Sequence, residues 1–452
     1  MALYITNNRN EYSRHKLHSH LKSKKLEHHS HESTRKALAI KSYFKVTKPD
    51  ADDSIPVTAF YNSKGHLTEI AIVNSPFEIP RKLIIAFALC IPFHTSIGRI
   101  TIIKGKINFA VIHEISKLLP HSNITEVFLE NCGDSRAKYH SLLEHLSQLK
   151  NLTLRRLGID DGECKNIVDN LLVGKPASNT LLTLDLSSNN ITDEAASALG
   201  YMLRGNRSLL HLNLCNNKIS DTGAGCILRS LTSFLVTDKE IIGKKVRRFE
   251  YFVKRIAYYK QYKDDLVHRQ TQKSNKNKKH MMPHKKGHIV KKTKTETSFS
   301  VTSDLTIDEL AEKMALQNVG EFIDAFDDEN LIIVENQKFS IGNLRLCSLN
   351  LSYNHLSYVT VRKIYYVLDY QKNVIKTKPH LNTGLMRILF EGNYIPRYCQ
   401  EYKDICDLLD KVISENITLP DLSHSAPSLK SGRRDSTPSV KQSSHGSAHA
   451  KK

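Results

Sequence analysis

The 39 residues from Leu181 to Ile219 constrain this chain more than any others, because they spell one pattern twice. Leu181, Leu184, Leu186, Asn189 and Ile191 form L-x-x-L-x-L-x-x-N-x-I, and Leu209, Leu212, Leu214, Asn217 and Ile219 repeat it 28 residues on. The spacing has a geometric cause. Residues two apart on a strand share a face, so Leu184 and Leu186 point into one core while Thr183, Asp185 and Ser187 point away. The asparagine falls where the chain leaves the strand. There its amide can satisfy backbone groups of the turn and the next repeat that burial would otherwise leave without partners. Between the strands lies a helix. Thr192-Asp193 and Ser220-Asp221 supply an N-cap hydroxyl and a first-turn acid. Ala195, Leu199 and Met202, then Ala224, Leu228 and Leu231, recur at helical spacing. A unit that cannot bury its apolar face alone must stack on copies of itself. The expected fold is an α/β solenoid, curved, with parallel strands on the concave face and helices outside.

This is the leucine-rich repeat, and its long helical half resembles the ribonuclease-inhibitor class. Weaker copies precede it. Leu67, Ile70, Ile72, Ser75 and Phe77 fit the template, as do Ile97, Ile100, Ile102, Gly105 and Ile107. Ile124, Val127, Leu129 and Cys132 follow, then Leu149, Leu152, Leu154, Leu157 and Ile159. The asparagine slots at 75, 105, 132, 157, 189 and 217 are separated by 30, 27, 25, 32 and 28 residues, and that near-regularity carries the assignment. Helical stretches are expected between them, such as Phe109 to Leu119 and His140 to Leu149. After Leu231 the pattern fails for about a hundred residues, with LVTDKEII (235–242) as a fragment of a strand. It resumes at Leu346, Leu349, Leu351, Asn354 and Leu356, then Leu385, Ile388, Phe390, Asn393 and Ile395. Two repeats alone bury too little core to stand, so one array of eight with a large insertion is the reading.

The organisation follows: a disordered basic, His-rich tail (1–48), a capping segment and six repeats (49–236), a basic and largely disordered insertion with short helices (237–343), two repeats and a closing helix (344–420), and a disordered tail (421–452). Within the insertion, Lys244 to Tyr262 is basic and aromatic and reads as a helix, while 269–298 reads as disordered. Thr306-x-x-Glu309 is a capping box ahead of a short helix. In the closing helix, Ile405, Leu408, Leu409 and Val412 share a face.

Net charge is +20, but it is uneven. Residues 1–48, 239–294 and 422–452 carry +8, +15 and +5, which leaves the rest of the chain at −8. Eight scattered cysteines without a C-x-x-C pair argue against a disulfide framework or zinc site and for a reducing compartment. His28, His29 and His31 are read as part of the solvated tail ahead of a metal site. The polar N-terminus has no apolar segment of a secretory signal, and the longest apolar run, Leu83 to Phe93, is too short to span a bilayer. The expected location is intracellular and cytoplasmic.

No phosphate-binding G-x-x-x-x-G-K-[ST], G-x-S-x-G, H-E-x-x-H or kinase signature occurs. His211 lacks an evident nucleophile partner. No catalytic residue, cofactor, metal or small-molecule substrate is expected. Arg433-Arg434-Asp435-Ser436 places basic residues ahead of a serine, which makes Ser436 a candidate phosphosite.

The concave face is the candidate site. Among the outward strand residues, Phe128, Glu130, Arg155, Asp185, His211, Asn213, Asn350 and Arg387 are the candidates for binding a protein partner, with Phe128 as an aromatic anchor. Asn189, Asn217, Asn354 and Asn393 are read as structural. For the insertion, an acidic protein partner ranks first, a tether second and nucleic acid third; a positive segment beside an acidic body also sets up folding across the concave face.

The order of motifs carries a resemblance. SSNNITDEAASALG and CNNKISDTGAG are followed by FLVTDKEIIGKKVRRFEYF, a Lys-rich insertion, the return KFSIGNLRLCSLNLSYNHL, a helix end at Tyr370-Gln371-Lys372 and a last strand in GLMRILFEGNYI. Over residues 180–400 this resembles the leucine-rich repeat-containing protein 71 family. The resemblance implies an intracellular repeat protein without known catalytic residues, associated with ciliated and spermatogenic cells. The reading is a non-enzymatic interaction scaffold, ciliary or flagellar by that resemblance. Its alternatives are a nucleic-acid-associated protein using the basic insertion and, third, a GTPase regulator.

Overall fold

A computed structural model describes residues 4–5, 38–45, 54–133, 137–279, 306–377, 384–396 and 398–417. It opens with strands β1 (Tyr4–Ile5), β2 (Leu38–Lys45), β3 (Ser54–Tyr61) and β4 (Leu67–Val73). The repeats continue through α1 (Arg81–Cys90), β5 (Arg99–Ile103), α2 (Phe109–Leu118), β6 (Glu126–Glu130), β7 (Asn151–Arg155), α3 (Asp161–Asp169), β8 (Thr183–Asp185), α4 (Asp193–Gly205), β9 (His211–Asn213) and α5 (Asp221–Arg229). The insertion holds β10 (Phe234–Leu235), α6 (Asp238–Lys279), α7 (Ile307–Val319), β11 (Leu331–Val334) and β12 (Gln337–Ser340). The array resumes with β13 (Ser348–Asn350), α8 (Tyr358–Thr377), β14 (Arg387–Leu389) and α9 (Gln400–Ile417).

The described strands form an 11-stranded sheet in the order β1-β2-β3-β4-β5-β6-β7-β8-β9-β13-β14. From β4 onward the pairing is parallel, and β13 lies directly on β9, so one solenoid runs through the insertion. The repeat leucines and isoleucines make one continuous core from Ile55 to Ile405. At the first edge β3 pairs antiparallel with β4, and β2 with β3, which supplies partners to an edge otherwise open to solvent. Residues 38–45 are therefore a strand and not part of a disordered tail. At the far end α9 covers the last repeat, with Ile405 buried and Tyr402 edge-on to Phe390 at 5.2 Å.

Two side-chain ladders hold the helical layer in register. Helices α3, α4 and α5 each begin with an aspartate whose carboxylate accepts from the cap of the next helix. Asp161 accepts from the Thr192 backbone N–H and hydroxyl, Asp193 from those of Ser220, and Asp221 from those of Ser357. On the opposite rim, buried Asn206 donates to Leu171 O and accepts from Leu209 N. Buried Asn343 does the same across the insertion, donating to Leu203 O (2.9 Å) and Asn206 O (3.0 Å) and accepting from Leu346 N. Gln371 continues the row by donating to Leu231 O and accepting from Leu385 N.

The insertion is more ordered than its composition predicts. LVTDKEII is no fragment of a repeat strand: β10 pairs antiparallel with β12, which brings the two ends of the insertion together. Gly342 then returns the chain with φ +88°, and a Cβ there would lie 2.5 Å from Thr232 O, so only glycine fits. Phe234, Val236, Ala325 and Phe326 form a small separate core. From it α6 runs for 42 residues, through 269–279, where disorder was expected. The capping box at Thr306 and Glu309 opens α7. Residues 280–298 lie outside the described residues.

Two smaller expectations are corrected. The stretch from His140 to Leu149 is helical only as a short 3-10 turn, Tyr139–Leu143. In the first repeat Phe77 is exposed and Ile79 fills the core position, because that turn is two residues longer than the template.

Candidate functional site

Parallel register sorts the outward side chains into three rows. The first runs Glu69, Arg99, Glu126, Asn151, Thr183, His211, Ser348, Arg387 along the sheet. The second runs Ala71, Thr101, Phe128, Thr153, Asp185, Asn213, Asn350, Leu389. The third begins with Val73, Ile103, Glu130 and Arg155. Past each strand the chain turns through a left-handed residue: Asn74, Lys104, Asn131, Arg156, Ser188, Asn216 and Tyr353, with φ between 50° and 59°, and Gly392 at 72°. Each immediately precedes an asparagine slot, and this kink drops the slot side chain beneath the sheet edge.

The four asparagines do the same job there. Asn189 Oδ1 accepts from the Leu157 and Ile159 N–H groups, while Nδ2 donates to Leu154 O and Leu186 O at 2.8 Å each. Asn217 and Asn354 repeat the arrangement on Leu186 and Leu214. Asn393 donates to Leu351 O and accepts from Leu356 N. Every bond that these asparagine side chains make to another repeat therefore reaches back to the preceding one, not forward to the next as expected. The donors and acceptors left open by the previous turn lie on that side.

The two halves of the concave face differ in charge. In the first half, Arg99 bonds Glu126, Asn151 Nδ2 donates to Glu126 Oε1 at 2.9 Å, and Thr101 donates to Glu69 at 2.6 Å. The hydrogen bond to Glu126 outweighs burial and holds the Arg99 guanidinium above its ordinary pKa. Arg155 lies 3.8 Å from Glu130 in the third row. Half-buried Phe128 sits between these charged sets, flanked in its row by Thr101 and Thr153.

The second half is largely uncharged. Asn213 Nδ2 donates to Asp185 Oδ2 at 2.9 Å. Asp185, Asn213 and Asn350 each also accept from the backbone N–H two residues on, at Ser187, Cys215 and Ser352. One acceptor of each is thus committed to closing its own strand. His211 and Arg387 are the exposed members of the first row.

Register places Thr183 and Ser348 beside His211, but no hydrogen bond joins it to either among the described residues. Burial pushes the thiols of Cys132, Cys164 and Cys215 up, away from the thiolate that nucleophilic chemistry uses. Among the described residues no group of three His, Cys, Asp or Glu side chains could hold a metal ion, and no helix is long and apolar enough to cross a membrane. Ser436 lies outside the described residues, as do His28, His29 and His31.

The described insertion is seated on the rim, at the C-terminal ends of the outer helices. Arg204 of α4 grips Glu240 with two bonds, 2.7 and 2.8 Å, and its guanidinium lies 3.9 Å from the Phe234 ring centre. Arg247 packs at Gly174, and Phe326 beside Gly205. Neither Arg204 nor Glu240 was singled out from sequence. The signal was a basic residue ending α4 and an acid beginning α6, too common a pair to notice. Asn206 and Asn343 were also missed, although each stands three residues ahead of a repeat's first leucine.

The Leucine Rich repeat family profile matches residues 177–200 and 205–228, the pair of units read first in the sequence. Parallel strands alternating with helices over the remaining repeats make the whole array a leucine-rich-repeat solenoid. No curated protein matches the sequence. Among solved structures, Leiomodin-1 Actin-Binding Site 2 (ABS2) aligns over 60% of this chain and 84% of its own, with TM-score 0.29 and 11% sequence identity.

Proposed function

We propose that this chain is a non-enzymatic scaffold that binds a protein partner on the first half of its concave face. The observation carrying this is the position of Phe128. It offers an aromatic anchor between Arg99–Glu126 and Arg155–Glu130, on a strand, β6, that is paired on both sides by β5 and β7. Aromatic and arginine side chains on a preorganised surface lose little entropy on binding and dominate interface energies. Leucine-rich repeats in general present such surfaces, and fold alone does not name the partner.

The test compares the full chain with an Arg99→Glu, Phe128→Ala, Arg155→Glu variant in affinity purification from nuclease-treated lysate. Proteins recovered by the first and lost by the second, at equal thermal stability, support the reading. Recovery untouched by the substitutions would sink it. Recovery abolished by nuclease itself would transfer the function to nucleic acid and the basic insertion.

The motif order from residue 180 to 400 further supports kinship with the leucine-rich repeat-containing protein 71 family, and with it a place in cilia or flagella. A tagged chain that stays out of the axoneme in ciliated cells would remove that assignment.

A further inference from the structure

Helix α6 has two faces with opposite chemistry. One is used. Lys244 donates to Phe326 O, Arg247 to Asp324, Tyr251 to Gly320 O, Arg255 to Glu312, Tyr259 to Asp308, and Lys263 pairs with Asp308 at 2.7 Å. These contacts bind it to α7 and the segment after it.

The other face is apolar and open. Ile242, Val246, Phe249, Val253 and Ile256 are each between 50% and 68% exposed. Their spacing alternates four, three, four, three, which is the heptad seam of a two-helix coiled coil, with valine at the a positions and isoleucine or phenylalanine at d. Such a stripe is narrower than the broad apolar face that an interfacial helix lays on a membrane. The helix spans about 63 Å at 1.5 Å per residue. Its 14 Lys and Arg against 5 Asp and Glu make it strongly basic. Lys245 stands beside the seam at a g position, and Lys239 and Lys260 continue its a positions at either end; all three are exposed, without an acidic partner among the described residues.

Charge selects the occupant. A second copy of α6 would bring the same positive field against itself. The chain's own residues 1–48 and 422–452 carry net +8 and +5, so neither complements it. We propose that the exposed seam of α6 is a docking site for one acidic amphipathic helix of a partner protein, separate from the concave face. The apolar seam supplies affinity, and the flanking lysines supply partner choice and steering.

The test measures fluorescence anisotropy of two synthetic 28-residue helical peptides against the full chain. Both carry leucine and isoleucine at a and d; one has glutamate at e and g, the other lysine. The glutamate peptide is expected to bind at least tenfold tighter. Phe249→Asp with Val253→Asp, both at exposed positions and so compatible with an unchanged melting temperature, should weaken it more than tenfold. Lys245→Glu with Lys260→Glu should reverse the preference. Equal affinity for both peptides, or no binding of the glutamate peptide, overturns the proposal. So does a dimer in sedimentation that the aspartate pair dissolves, which would make a second copy the occupant. Flotation with phosphatidylserine vesicles that the same pair abolishes would hand the seam to a membrane.

Discussion

Asp221 and Ser357 lie 136 residues apart in sequence, yet the carboxylate of the first accepts both the backbone N–H (2.9 Å) and the hydroxyl (2.5 Å) of the second. The contact copies those made by Asp193 and Asp161, one and two repeats earlier. It shows that the sixth and seventh repeats stack as if the insertion were absent. In a solenoid such interfaces between neighbours carry much of the stability.

Removing this contact should cost a helix cap and a charged hydrogen bond together. Asp221→Ala is expected to destabilise by about 2 kcal/mol and Ser357→Ala by about 1 kcal/mol. Because the two residues share one interaction, the double variant should lose less than the sum. Urea denaturation of the four proteins measures this; strict additivity would show that the contact contributes nothing.

The same carboxylate sets a pH response. Burial alone would raise the Asp221 pKa, but the bonds from Ser357 and Thr360 outweigh it and hold it below its ordinary value. Glu240 behaves likewise: burial raises it, and Arg204 and Thr237 more than reverse that. A carboxyl lowered on folding stabilises fully above its unfolded pKa, and that contribution is lost as pH falls through the folded one. Melting temperature should therefore drop as pH is lowered through and below the ordinary carboxylate range, with a shallower drop in Asp221→Asn. Parallel curves would count against the assignment.

The asparagine slots should be far less tolerant than the face above them. Asn354→Ala leaves the Leu214 and Leu351 carbonyls and the Ile219 N–H without their side-chain partner, at a cost of about 3 kcal/mol. Asn350→Ala removes one strand-end bond to Ser352 N and should cost about 1 kcal/mol. Equal losses in chemical denaturation would contradict the division between spine and surface.

Arg204 fastens the insertion to the solenoid. Arg204→Ala leaves the buried Glu240 carboxylate with only Thr237, so the root of α6 should open while the repeats stay closed. Hydrogen exchange should quicken in residues 234–250 and remain unchanged in β8 and β9. Uniform quickening would instead mean that the clasp supports the whole array.

Much of the solenoid was legible because a core filled by one residue in every strand imposes its period on the sequence. Leu184, Leu212 and Leu349 announce three strands that register places side by side. The asparagine slots were visible for the same reason. The direction of their bonds was not, since a period says where a repeat falls and nothing about which neighbour holds its open groups. The 3-10 turn at Tyr139–Leu143 escaped because apolar spacing does not separate one turn of helix from three.

The insertion shows the other limit. Residues 269–279 have the composition of a disordered tract, yet they continue a helix whose preceding turns are already packed on α7. Propagation from a formed helix adds a bond for each residue fixed and avoids the nucleation cost that composition alone implies. The candidate site divides the same way. Alternation told which side chains leave the core, including Phe128, His211 and Arg387. Only register could gather Glu69, Arg99 and Glu126 into one charged set, or commit Asp185 and Asn213 to each other.

The sequence by itself determined the repeat, its strands and the four asparagines beneath them, because those depend on residue spacing within one unit. The tertiary structure alone decided that Asp221 meets Ser357, that Arg204 grips Glu240 and that one face of α6 is left open. Those depend on contacts between segments that spacing along the chain does not relate.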